Sequence, residues 1–148
     1  MIEARTSKAI GYFGLLTLAA LAAGSLAPLG EYFLGNFAVY WLPIAIVLTI
    51  LAVTGAGLGV SAGSAVVLTA FLFGYHAWAQ SVKSHEWVWG GYLFAMPGAA
   101  IGGLVASFLR RRRSLALVVA ALVAFAATAI GLVLNTGLLC VTLIHCLG

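Results

Sequence analysis

The sequence predicts an all-α polytopic membrane bundle with five transmembrane spans, the N-terminus inside and the C-terminus outside. Three observations lead there: composition, the length of the apolar runs, and the placement of the basic residues. Of 148 residues, 64% are hydrophobic and 7% are charged. A soluble domain carries roughly 25% charged residues, so this chain has too little polar surface to cover a water-exposed globule. A span needs about 20 apolar residues, because every backbone polar group in the hydrocarbon must be satisfied within the helix. Basic residues then set the orientation. Arg5, Lys8 and Arg110 to Arg113 fall on one side of the predicted membrane and only Lys83 on the other, which places the N-terminus in the cytoplasm.

The spans follow in order. The first covers about 9–29, after a head carrying Arg5 and Lys8, and stops at Pro28 and Gly30. Its basic head, apolar run and Ala20 and Ala22 also fit a signal peptide; length and the position of Pro28 favour a span. From Phe37 to Gln80 the chain is uncharged over twice the length of one crossing, and its middle reads GAGLGVSAGS, Gly55 to Ser64. Two spans, about 38–57 and 64–81, joined by a tight glycine turn are the economical division. The competing reading makes Gly55, Gly59 and Gly63 a packing stripe on one helix. The fourth span, about 87–109, follows the SVKSHE loop and ends at the arginine block. The fifth, about 115–134, breaks at Asn135, Thr136 and Gly137, leaving 138–148 as an interfacial tail. The whole chain, 1–148, forms a single integral membrane domain.

Helices in lipid associate through close van der Waals contact, which small residues permit. On the fourth span Gly91, Ala95, Gly98, Gly102 and Ala106 recur at three and four residues and share one face. On the fifth, Ala116, Ala120, Ala124, Ala127 and Gly131 do the same, and on the third Ala70, Gly74, Ala77 and Ser81 form a shorter stripe. Packing within the chain is the simpler use of these faces; mating with another chain is the other. Pro97, halfway along the fourth span, removes a helical hydrogen bond and predicts a kink.

Candidate chemistry is sparse. No Asp, Glu, Lys or Arg falls mid-span, which argues against a proton relay built on a buried carboxylate. The threonines, Thr128 among them, read as bonding back to their own helices. All four tryptophans, Trp41, Trp78, Trp87 and Trp89, lie near the predicted outer face together with His76 and most of the tyrosines. That gathering makes Trp41, His76, Trp78, Trp87 and Trp89 a candidate outer-face binding shelf, beside the plainer reading of an aromatic belt. The spacing of His76, His85, His145, Cys140 and Cys146 is not diagnostic of a metal or haem site, and no cofactor is expected. Cys140 and Cys146, six apart, lie about 240° apart on a continuous helix, so they can pair only if the tail unwinds.

Ten charged residues offer no phosphate-neutralising face, so nucleic acid is excluded as a partner. The expected partners are the lipid bilayer and another membrane protein or copies of this chain. Short loops and an uncharged interior argue against an enzyme. The sequence therefore favours a structural or accessory subunit packed against a larger complex in a bacterial inner membrane. The second reading is a small homo-oligomeric transporter or channel for a neutral or lipid-like solute, with Pro97 and the Gly55 to Gly63 segment along its path.

Overall fold

Five helices long and apolar enough to cross a membrane make up the computed structural model, which describes residues 2–81 and 88–141. They are α1 (Ile2–Leu26), α2 (Phe33–Val53), α3 (Leu58–Ser81), α4 (Val88–Arg113) and α5 (Leu117–Leu139). Among the described residues there is no strand. Alternating passage puts the start of α1, the α2–α3 turn and the α4–α5 turn at one end of the bundle. The α1–α2 connection and the end of α5 lie at the other. α3 packs on each of the other helices; α1 touches only α2 and α3, and α5 only α3 and α4.

Several boundaries differ from those the sequence suggests: α1 ends at Leu26 rather than near 29, and α2 begins at Phe33 rather than near 38. The α2–α3 turn occupies 54–57, so the third helix begins at Leu58 rather than near 64. Gly55 and Gly57 have φ of +70° and +83°, where only glycine sits without strain. The Ala56 N–H donates to Leu51 O (2.9 Å) and the Gly55 N–H to Ala52 O (3.0 Å), the hydrogen bonds of a Schellman C-cap, and Ala56 and Leu51 are both fully buried. Gly59 and Gly63 lie inside α3. The single segment thus supplies both a turn and a packing stripe.

The fourth helix does not stop at the arginines but carries all four in its last turn, where cations complement the negative end of the helix dipole. Ser114 ends it with φ +48°, and the Leu115 N–H reaches back to Arg110 O (3.4 Å). The fifth helix runs through Asn135, Thr136 and Gly137 to Leu139, so that segment is no break and 138–139 belong to the span. A π turn follows at Cys140 and Val141. The rest of the expected tail, with His145 and Cys146, lies outside the described residues, as do Lys83, His85, Glu86 and Trp87.

Two prolines interrupt helices, Pro43 in α2 and Pro97 in α4. A proline removes one hydrogen bond and pushes aside the preceding turn. In each case the carbonyl three residues earlier accepts a side-chain donor from another helix. The Tyr92 hydroxyl donates to Tyr40 O (3.0 Å) and the Asn135 amide to Phe94 O (2.6 Å). The two bonds tie α2 to α4 and α4 to α5 one residue beyond the carbonyls, Val39 and Leu93, that the prolines leave without a helical donor.

Candidate functional site

The tightest packing lies where α5 crosses α3 and α4. A Cβ at Gly98 would stand 2.5 Å from Asn135 Cβ and 2.9 Å from the Gly131 carbonyl carbon; one at Gly102 would stand 2.7 Å from the Ala127 carbonyl carbon. Reciprocally, a Cβ at Gly131 would meet the Gly98 carbonyl. On α3, a Cβ at Gly59 would stand 2.5 Å from Leu117 O, and one at Gly63 would strike the Ala121 backbone. Ala95, Ala106, Ala120 and Ala124 are all buried. Gly91 sits under the Tyr75 hydroxyl, 2.6 Å from where its Cβ would be. The stripe of α4 and the Ala120 to Gly131 part of the α5 stripe therefore face the interior of this chain, whereas Ala116, just before α5, is exposed.

At the same crossing Ser64 and Thr128 share a buried hydrogen bond (2.9 Å). Thr128 thus bonds across to α3 instead of back to its own helix. Ser61, one turn below Ser64 on α3, is buried with no partner for its hydroxyl.

The third stripe behaves differently. Ala70, Gly74, Ala77 and Ser81 are exposed, and no atom stands within 4 Å of a Cβ built at Gly74. They continue, seven and more residues on, the face that carries Gly63 against α5. α5 covers that face at Gly59 and Gly63 and then follows α4, through Gly131 and Asn135. The half of α3 away from the arginine end is left with a small-residue surface flanked by exposed Phe73 and Trp78.

The aromatic residues of the same end divide. Trp89 is the centre of a cluster: its ring lies 4.4 Å from Tyr40, 5.7 Å from Tyr75, 5.8 Å from Tyr92 and 6.0 Å from His76. Tyr40 meets the His76 ring edge-on at 5.7 Å, and Phe71 stacks on fully buried Tyr92 at 5.8 Å. The Nδ1 of His76 is buried there without a hydrogen-bond partner. Trp41 belongs elsewhere: its indole N–H donates to Leu16 O (3.3 Å), tying α2 to α1, and its ring stacks on Phe37. Trp78 touches the cluster only through Tyr75 and is half exposed. The structure thus joins His76 and Trp89 but not Trp41. The tyrosines that complete the cluster were recognisable as outer-end aromatics, though nothing in their spacing marks which helices they bridge.

Pro97 is exposed at the α4 surface while Gly59 and Gly63 are closed against α5, so the residues expected along a solute path do not face a common space. Among the described residues no group of three His, Cys, Asp or Glu side chains is placed to hold a metal.

The opposite end is electrostatic. The Arg110 guanidinium donates to Ala56 O (2.9 Å) and that of Arg111 to Thr54 O. Thr54 is the C-cap of α2, where the helix dipole is negative and acceptors lack helical donors, and Ala56 lies two residues on in the turn. Arg110 lies across Gly57, its Cζ 2.6 Å from where a Cβ would be, so the side chain of residue 57 is absent where the guanidinium passes.

Compared with protein-family models, curated proteins and solved structures, the chain matches none. Function has to be argued from this geometry.

Proposed function

We propose that the protein is a non-catalytic accessory subunit of a bacterial inner-membrane complex, docking on a helix of another membrane protein through the outer half of α3. One observation carries the reading: Ala70, Gly74, Ala77 and Ser81 form a small-residue face with no helix of the described residues on it. Such faces let backbones approach closely in lipid, where hydrophobicity alone gives helices no reason to associate. Gly98, Gly102 and Gly131 of α4 and α5 are already engaged within the chain, so they are not the docking surface.

The proposed orientation keeps the arginine end in the cytoplasm and the end of α5 outside. The imbalance of basic residues supports it. So does Cys140, which is disulfide-bonded at the end of α5 opposite the arginines, since disulfides persist on the oxidising side of a membrane.

The test is a photo-crosslinking residue in place of Gly74, followed by mild detergent extraction. The reading expects a crosslink to one other polypeptide in fixed stoichiometry. Gly74→Leu should abolish co-purification, and Gly14→Leu, facing open space on α1, should preserve it. Crosslinks to lipid alone, or co-purification unchanged in Gly74→Leu, would defeat the proposal.

A further inference from the structure

The four arginines at the end of α4 divide into two pairs with different work. Arg110 and Arg111 are spent on the carbonyls of Ala56 and Thr54. Arg112 and Arg113 are exposed, and no ion pair ties either to an acidic residue among the described residues. The Arg112 guanidinium carbon lies 4.8 Å from the centre of the Phe108 ring, which is itself 55% exposed on the apolar flank of α4. If α4 crosses a bilayer, a ring one turn inside its charged end sits at the edge of the hydrocarbon and holds the guanidinium at the headgroup side, in a cation–π contact that leaves the N–H donors available.

We propose that Arg112 and Arg113 bind the phosphate of an anionic phospholipid in the leaflet at this end. Guanidinium groups present planar paired donors that match phosphate oxygens, and a membrane surface supplies that group at the depth where Phe108 fixes Arg112. The inference needs the five helices to cross a bilayer but is independent of docking at α3, so either can fail alone.

Purified protein in a neutral detergent, titrated with phosphatidylglycerol or phosphatidylcholine and read by native mass spectrometry, tests it. The wild type should bind phosphatidylglycerol in preference, with affinity falling as salt rises. At about fivefold per arginine, from ~1 kcal/mol each near an anionic surface, Arg112→Gln with Arg113→Gln should weaken binding by about 25-fold without moving the unfolding temperature. Arg110→Gln with Arg111→Gln should lower the unfolding temperature and keep most of the phosphatidylglycerol affinity; if that pair does not fold, Arg111→Gln alone serves as the comparison. Equal binding of the two lipids would overturn the proposal, as would equal loss of affinity in both arginine pairs. Displacement of phosphatidylglycerol by millimolar inorganic phosphate would overturn the assignment to a lipid.

Discussion

Alanine at Gly98 or Gly102 probes the α4–α5 contact with a single added carbon. At Gly98 that carbon would fall 2.5 Å from Asn135 Cβ and 2.9 Å from the Gly131 carbonyl carbon; at Gly102, 2.7 Å from the Ala127 carbonyl carbon and 2.8 Å from Thr128 Cα. Carbon atoms rest at about 3.5–4.0 Å, so the helices must part by about 1 Å. The atoms in the way are mostly backbone, which cannot rotate aside. Overpacking of this kind costs about 1–3 kcal/mol, and the better helix propensity of alanine returns up to about 1 kcal/mol. The expected net loss is about 1–2 kcal/mol for each variant. Gly14→Ala and Gly137→Ala, where nothing lies within 4 Å, isolate the propensity effect and should be neutral or slightly stabilising. The assay is unfolding of the purified protein by titrating sodium dodecyl sulfate into neutral micelles, followed by circular dichroism. Gly98→Ala combined with Gly131→Ala should lose less than the sum, since the first substitution already separates the backbones that the second would strike. If Gly98→Ala and Gly102→Ala gain stability as the open-space controls do, α4 and α5 are not in backbone contact and the packing argument falls.

Other substitutions test separate features by the same assay. Thr128→Val strands the Ser64 hydroxyl in the bundle and should lose about 1 kcal/mol, part of it recovered by adding Ser64→Ala; full additivity would show that the two hydroxyls do not interact. Ser114→Gly relieves a left-handed backbone and should gain about 0.5–1 kcal/mol, whereas a loss would mean that the serine side chain holds the turn. His76→Phe keeps a ring beside Tyr40 and Trp89 while removing an unpaired buried nitrogen, for a gain of about 1 kcal/mol. Destabilisation by that change would reveal a partner for the imidazole.

The number of helices was legible because lipid reduces the problem to apolar run length. Their ends were less so, for reasons visible at particular residues. Gly59 and Gly63 resemble turn residues by type, yet they lie within α3 because α5 needs their missing side chains. Asn135 resembles a helix breaker, yet its amide finds Phe94 O, three residues before Pro97 and 41 residues away in sequence. Arg110 to Arg113 look like a loop because they are charged; they extend α4, where two of them reach the carbonyls of Thr54 and Ala56 at the α2–α3 turn. Periodicity placed Gly98 and Gly102 on one face, as it did Ala70 and Gly74. It could not say that the first face meets α5 and the second meets no helix of the described residues, since that depends on where α5 leaves α3. The aromatic residues were legible as a group at one end, but the separation of Trp41 from the Trp89 cluster required knowing that α1 lies beside α2.

The account stands on five crossings that put the arginine turn and the end of α5 on opposite sides of a membrane. Single cysteines at Ser7, Glu31, Ser114 and Val141, in a chain with Cys140 and Cys146 changed to serine, can be probed in spheroplasts with a membrane-impermeant maleimide. Labelling of positions 31 and 141 in intact spheroplasts, and of 7 and 114 only after permeabilisation, is the predicted result. Labelling of positions 114 and 141 from the same side would contradict it.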